Sequence, residues 1–246
     1  MTVLVTGGGR GIGAATARLA AERGYTVCVN YRSNRASADA AVADIESRGG
    51  TAIAVGADVS VEADVLGLFE TIDARLGRLT ALVNNAGILE TQARVDQIDS
   101  ARIARVFATN VTGAFLCARE AVKRMSTARG GAGGAIVNVS SRAAQLGAPG
   151  EYVDYAASKA ALDTLTIGLA GEVAAEGIRV NGVRAGIIDT DIHTSGGEPG
   201  RVDRLGPLLP MQRGGQAIEV ARAILWLLSD EASFSTGTFI DVSGGR

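Results

Sequence analysis

The sequence predicts a single-domain α/β fold, with a seven-stranded parallel sheet flanked by helices on both faces. Two observations carry that prediction. Short β-branched runs alternate with longer helix-patterned segments from the first residues to the last, and the runs are apolar at nearly every position. Alternation of this kind implies βαβ crossovers. Unbroken apolarity implies strands covered on both faces, since a half-exposed strand would be polar at every second position.

The seven runs are Val3–Thr6, Thr26–Asn30, Thr51–Val55, Ala81–Asn84, Ala135–Ser140, Ile178–Val183 and Thr238–Val242. The helical segments between them are Ile12–Arg23, Ala36–Arg48, Val61–Leu76, Ser100–Met125, Tyr152–Glu176 and Ala217–Leu228. No linker divides the chain, so residues 1–246 read as one domain; the glycine patch Gly130–Gly134 reads as a turn before the fifth strand. One stretch breaks the pattern. Residues 191–215 hold three of the four prolines, Pro199, Pro207 and Pro210, and many glycines. An irregular insert of that length is usually functional, and a lid over a substrate pocket is the expectation, with a plain surface loop as the alternative.

Composition narrows the function. The chain is 47% hydrophobic and 20% charged with a formal net charge of −2, which suits a folded core and gives no electrostatic reason to expect nucleic acid or a membrane surface as partner. Cys28 and Cys117 sit in apolar stretches and read as buried small hydrophobes. His193 is the only histidine and has no cysteine cluster near it, so no metal site is expected. The start of the chain lacks the charged and apolar regions of a signal peptide, and no stretch approaches a bilayer span; cytoplasmic residence is the expectation.

The first strand runs into Gly7-Gly8-Gly9-Arg10-Gly11-Ile12-Gly13 and then a helix. Glycines let a ligand approach the backbone, and a helix amino terminus offers free N–H groups and the positive end of a dipole to a pyrophosphate. The spacing of Gly7, Gly11 and Gly13 differs from the common G-x-G-x-x-G dinucleotide pattern. After the second strand the chain reads Asn30-Tyr31-Arg32. An acid there would favour a free ribose 2′-hydroxyl, whereas Arg32, with Arg10 in the adjacent turn, suits a 2′-phosphate; NADP(H) is expected over NAD(H).

Tyr155 and Lys159 lie four residues apart in a helical segment, hence on one face. A phenol of pKa about 10 is a poor base at neutral pH, and a nearby ammonium lowers that value. The pair can therefore serve as an acid/base, although the spacing alone is common by chance.

Four motifs occur in order: Thr6-Gly7 with Gly11-Ile12-Gly13, Asn84-Asn85-Ala86-Gly87, Ser140-Ser141, and Tyr155-Ala156-Ala157-Ser158-Lys159. Together they resemble the short-chain dehydrogenase/reductase family over essentially the whole chain, in particular 3-oxoacyl-carrier-protein reductases and glucose or polyol dehydrogenases. The resemblance implies a Rossmann fold and a nicotinamide cofactor, with Tyr155 moving the proton, Lys159 lowering its pKa and holding the nicotinamide ribose, a serine bonding the reacting oxygen, and Asn110 holding a water in a relay through Lys159. Aligning the family pattern selects Ser141 over Ser140, and strand alternation lets only one of the two face a cleft. Cofactor contacts carry over to Gly7, Gly9, Arg10, Ile12, Arg32, Asp58, Val59, Asn85, Tyr155, Lys159 and Ile188, with helix capping as the competing role for Asp58. The family is usually tetrameric. Tyr152 has no lysine four residues on and reads as a pocket wall or an exposed residue. Where the family has Pro-Gly, this chain has Ala185-Gly186, which puts loop order in doubt.

The expected substrate is a small free carbonyl or alcohol. The alternative is an acyl-carrier-bound one, for which Lys123, Arg124 and Arg129 could supply a basic docking face near the cleft, against Glu172 and Glu176. A dinucleotide-binding sensor without catalysis is the alternative of another class; its expected mark, loss of Tyr or Lys from the pair, is missing here. The sequence does not specify substrate identity, stereochemistry or direction.

Overall fold

The computed structural model describes all 246 residues. The chain runs β1 (Thr2–Val5), α1 (Gly11–Glu22), β2 (Thr26–Tyr31), α2 (Arg35–Ser47), β3 (Thr51–Gly56), α3 (Glu62–Arg75) and β4 (Leu79–Asn84), then α4 (Ser100–Phe107) and α5 (Gly113–Met125). It continues through β5 (Gly134–Ser141), α6 (Ala143–Leu146), α7 (Val153–Val173), β6 (Ile178–Ala185), β7 (Ile188–Asp189), α8 (Ile192–Ser195), α9 (Arg201–Leu205), β8 (Gly215–Gln216), α10 (Ala217–Leu228) and β9 (Phe239–Val242). The main sheet has seven strands in the order β3-β2-β1-β4-β5-β6-β9, and every pairing is parallel. Strand order reverses between β1 and β4, and in such sheets ligands bind in the crevice beyond the carboxyl ends of the strands at that reversal.

Side-chain alternation divides the core. Val3, Val5, Val27, Val29, Val83 and Val137 point to one face, where Ala17 and Ala20 of α1, Ala38 and Ile45 of α2, and Val220 and Ile224 of α10 cover them. Leu4, Cys28, Leu82 and Ile136 point to the other, under Leu68 and Phe69 of α3, Cys117 and Ala121 of α5, and Val173 of α7. Each fully buried Val, Leu, Ile or Phe side chain contributes about 1.5–3 kcal/mol. Both cysteines are free and buried, and burial pushes their thiols up to about 12, so they pack as hydrophobes. No helix is long and apolar enough to cross a membrane.

Three helix starts carry recognisable caps. Asn34 Oδ1 accepts from Ser37 N, Asp99 Oδ1 accepts from Arg102 N, and α10 begins with a reciprocal box between Gln216 and Glu219. α1 differs: no side chain caps it and no acid stands in its first turn.

Two segments depart from the sequence expectation. The helix expected over Ser100–Met125 is interrupted by a π-helical turn at Ala108–Thr112, which carries Asn110. The stretch at 191–215 is not structureless: it holds α8, α9 and a tight turn at Gly206–Leu208. Its two ends are joined by pairing of Ile188 with Gly215 and Asp189 with Gln216.

Candidate active site

A cleft of about 500 Å³ opens at the carboxyl edge of the sheet. Its floor is the glycine turn after β1. Gly7 and Gly11 have φ of +60° and +52°, the left-handed region that favours glycine. A Cβ on Gly13 would lie 2.3 Å from the Gly7 carbonyl oxygen and 2.6 Å from Asn85 Nδ2, so a larger residue would push the turn open. The turn is tied to the end of β4: Asn85 Nδ2 donates to the Thr6 and Gly7 carbonyls (2.9 and 3.1 Å), and the Thr6 hydroxyl accepts from Asn85 N and Ala86 N (3.0 Å each). Asn85 thus shapes the turn as well as lining the cleft. With the start of α1 uncapped, its amides and dipole face the cleft without a competing acid. That donor set fits a dinucleotide pyrophosphate.

Beyond β2, Arg32 and Arg10 are exposed along the cleft, and neither has a carboxylate partner within the chain. Asp58 lines the same end, and its Oδ1 accepts from Ser60 N and Ser60 Oγ (3.0 and 2.7 Å) in the turn before α3; it does not cap that helix, whose N-cap is Val61 with no side-chain bond. Val59 is buried against Gly113, and Gly9, Ile12 and Ile188 complete this wall.

Tyr155 and Lys159 project from α7 into the centre of the cleft. Lys159 is 4% exposed; its Nζ donates to the Val139 carbonyl at 2.7 Å and lies 5.7 Å from the Tyr155 ring centre. Burial lowers the ammonium to about 8, while the Asp163 carboxylate one turn on opposes that shift. The phenol goes the other way. Burial raises Tyr155 to about 12, and only the neighbouring Ser141 hydroxyl pulls it down. Lys159 is not among the groups that shift the Tyr155 pKa here. The ammonium is drawn to a main-chain carbonyl, and desolvation of the phenolate dominates.

Ser140 and Ser141 separate as strand alternation requires. Ser140 is 2% exposed and donates to the Lys159 carbonyl (3.3 Å); Ser141 is partly open beside the phenol, its Oγ accepting from Ala143 N (3.1 Å). Asn110 is buried with its side chain fully engaged. Oδ1 accepts from Ile88 N (2.8 Å), and Nδ2 donates to Ile88 O and Ser158 Oγ (3.0 Å each). Its amide is thus a strut between the loop after β4 and α7, with both Nδ2 hydrogens spent.

The far end of the cleft is lined by Leu146, Tyr152, His193 and Arg201. Tyr152 is a buried wall residue whose hydroxyl lies 3.4 Å from the Gly196 carbonyl. His193 Nε2 lies 2.9 Å from the Ile188 carbonyl, and burial lowers its pKa. The proline-less loop is held by other means: Gly186 N donates to Val242 O (2.9 Å), Arg142 N to Ala185 O (2.9 Å), and a Cβ on Gly186 would lie 2.6 Å from Ser243 Cα.

The basic group Lys123, Arg124 and Arg129 is not near the cleft. It gathers with Arg78 and Leu79 at the amino-terminal edge of the sheet, where Glu120 pairs with Lys123 and Arg124, and Asp73 with Arg124. The reason is directional: α5 runs against the strands, so its last turn ends far from their carboxyl ends. Sequence reasoning passed over Glu151, Arg201 and Asp163. Only Asp163 carried a local signal, its place one turn beyond Lys159.

A protein-family model described as enoyl-(acyl carrier protein) reductase matches residues 7–246. The chain is 62% identical to the uncharacterized oxidoreductase YgfF of Escherichia coli (strain K12), over 99% of this chain and 98% of that protein. It is 35% identical to the 3-oxoacyl-[acyl-carrier-protein] reductase FabG of Staphylococcus aureus, over 99% and 97%. Among solved structures, a short-chain type dehydrogenase/reductase from Mycobacterium marinum superposes with a TM-score of 0.92 at 32% identity, over 99% and 94% of the two chains. With that cleft, that strand order and these relatives, the chain belongs to the short-chain dehydrogenase/reductase family, oxidoreductases that act on alcohol and carbonyl groups with a nicotinamide dinucleotide.

Proposed function

We propose that the protein reduces a small free ketone, or oxidises the matching alcohol or polyol, with NADPH preferred over NADH. The observation that carries this reading is the grouping of Tyr155, Lys159 and Ser141 at the centre of one cleft whose other end offers two unpaired guanidinium groups.

The bound nicotinamide supplies the hydride. The chain's residues handle the proton and the oxygen. Tyr155, held neutral by burial, donates its proton to the carbonyl oxygen during reduction. Ser141 donates to the same oxygen and steadies the charge that grows there. Lys159 holds the nicotinamide ribose and, kept cationic by Asp163, favours return of a proton to the phenolate. Asn110 holds α7 against the loop after β4, and a water on its main-chain carbonyl would continue the relay through Lys159; π-helical turns commonly occur at functional sites. Gly7, Gly9, Ile12, Val59, Asn85 and Ile188 bound the cofactor, and Arg32 with Arg10 would pair with a 2′-phosphate. Asp58 has Oδ2 left for the adenine amino group.

Residues 191–215 act as the substrate lid of this single domain. Carrier-bound substrates are the alternative favoured by the FabG relative, but the basic cluster at the opposite edge of the sheet supports a free substrate. A homotetramer in the cytoplasm completes the reading. Its support is the outer surface of α4, α5 and α7, where Ile103, Phe115 and Ile167 stand 43%, 50% and 58% exposed.

Four measurements test these points. Tyr155→Phe should lower kcat about a thousandfold while NADPH affinity stays within about twofold; a wild-type protein that binds NADPH but turns over no ketone or polyol in a broad panel would instead favour the sensor reading. Arg32→Ala should cut kcat/KM with NADPH by about ten- to a hundredfold and leave NADH nearly unchanged; an effect shared equally by both cofactors would refute the phosphate contact. The pH profile should be asymmetric. With the phenol protonated up to about 12 and Lys159 charged below about 8, reduction stays flat from neutrality to about 8, whereas oxidation, which needs the phenolate, climbs by about tenfold per pH unit over the same span. Light scattering should give four times the 25.1 kDa chain mass.

A further inference from the structure

Among the contacts that hold the lid, which include Gln92 with Glu198, Tyr152 with Gly196 and Met211 N with Gly244 O, one is made by a buried cation. Arg201, in α9, is 5% exposed, yet it lines the cleft. Its Nη1 donates to Glu198 Oε2 at 2.7 Å and its Nη2 to Glu151 Oε2 at 2.5 Å. The guanidinium carbon stands 5.1 Å from the centre of the Tyr152 ring. Arg201 thereby joins the lid to the residues that lead directly into the helix of Tyr155.

A third segment closes the junction. Gln92, from the loop after β4, donates to Glu198 Oε2 (2.6 Å), and Ala93 N donates to the Glu151 carbonyl (3.0 Å). That loop is itself anchored, because Arg102 donates to the Thr91 carbonyl (2.6 Å) and makes two bonds to buried Asp154 (2.7 and 3.1 Å). Arg204 donates to Glu198 Oε1 (2.6 Å) from the more exposed side. Two cations and two carboxylates therefore balance at the junction, and Arg201 is the member whose charge is most buried. A buried guanidinium is costly to strip of a carboxylate, so the lid cannot lift from Glu151 without exposing Arg201 to water with only the lid's own Glu198 as partner.

We propose that Arg201 is a positioning residue for catalysis: by clamping the lid to Glu151 and Tyr152, it shapes the substrate half of the cleft and fixes the approach of the carbonyl to Tyr155, without touching the cofactor half. The inference rests on the reading that substrate lies between Tyr155 and the lid. None of the residues around the glycine turn or Arg32 contributes to the junction, so substrate and cofactor binding should respond separately.

Hydrogen exchange, NADPH titration and steady-state kinetics on the full chain test it together. In Arg201→Met, lid amides at 192–209 should exchange at least about tenfold faster while amides of β1 and β4 keep their protection. NADPH affinity should stay within about twofold, and KM for the carbonyl should rise about tenfold or more with a much smaller change in kcat. Glu151→Gln, which keeps the Glu198 pairing, should shift exchange and KM in the same direction by less, and the double variant should be no worse than Arg201→Met alone. Unchanged lid exchange in both folded variants overturns the proposal, as does a loss shared equally by cofactor affinity and KM, the pattern of general destabilisation. The exchange measurement needs no substrate. A clamp that behaves as stated in a protein that turns over no carbonyl would sink the functional reading and leave Arg201's structural part standing.

Discussion

Both halves of the site hang on the seam between β1 and β4, where the strand order reverses. A parallel sheet leaves a crevice there because the crossovers on either side depart in opposite directions. In this chain the crevice is given its shape by one hydrogen-bonded knot. The Thr6 hydroxyl and the Asn85 amide together make five contacts across the seam, and they fix the glycine turn at the height of the β4 terminus. Loss of either partner would leave buried polar groups unsatisfied, at a cost of about 1–3 kcal/mol each. The turn's close approach also needs Gly13 bare, since a Cβ there would meet both the Gly7 carbonyl and the Asn85 amide.

The catalytic helix is placed by a second polar ladder, deeper in the protein. Asn84 donates to Asn138 Oδ1 (3.0 Å), and Asn138 donates to Thr166 Oγ (2.8 Å), so β4, β5 and α7 are joined in sequence by buried side chains. Asn110 adds a tie from the π-helical turn to Ser158 (3.0 Å). Apolar packing alone tolerates a sliding helix, because hydrophobic contact is not directional. A fully satisfied polar ladder tolerates one register. Tyr155 and Lys159 inherit their positions from these bonds, and Ser140 repeats the principle by holding the Lys159 carbonyl.

Much of this was legible in the sequence, and the parts that were not share a cause. The strands and most helices followed from periodicity, because Val3, Leu4 and Val5 must each find cover on alternate faces. The glycine turn followed from its place after the first strand. The interruption at Ala108–Thr112 left no mark: it contains neither proline nor glycine, and it depends on Asn110 reaching Ile88 from another segment. The Arg201–Glu151 contact spans fifty residues of chain, a distance at which charge patterning carries no information. The balance of forces on the Tyr155 proton was hidden for a related reason. Spacing on a helix shows that an ammonium is near, but the sign of the pKa shift depends on burial, which only the folded chain reveals. The basic cluster is the exception, since the direction of α5 already implied the far edge.

The two ends of the cleft are held by different kinds of force. The dinucleotide end is made of backbone: glycine turn, uncapped helix start and main-chain amides, all fixed by the sheet. The substrate end is made of side-chain charges on three irregular segments that the sheet does not touch. Away from the glycines that the turn requires, backbone geometry changes little when one residue is replaced, whereas a buried ion pair fails when either partner is lost. Residues 88–94, 147–152 and 191–215 can therefore vary while the glycine turn stays fixed, and one fold can carry many chemistries. In this chain the charges at that end balance among Arg201, Arg204, Glu151 and Glu198, and Tyr152, Leu146 and His193 complete the wall, so the shape of that end rests on an ion-pair network and not on the sheet.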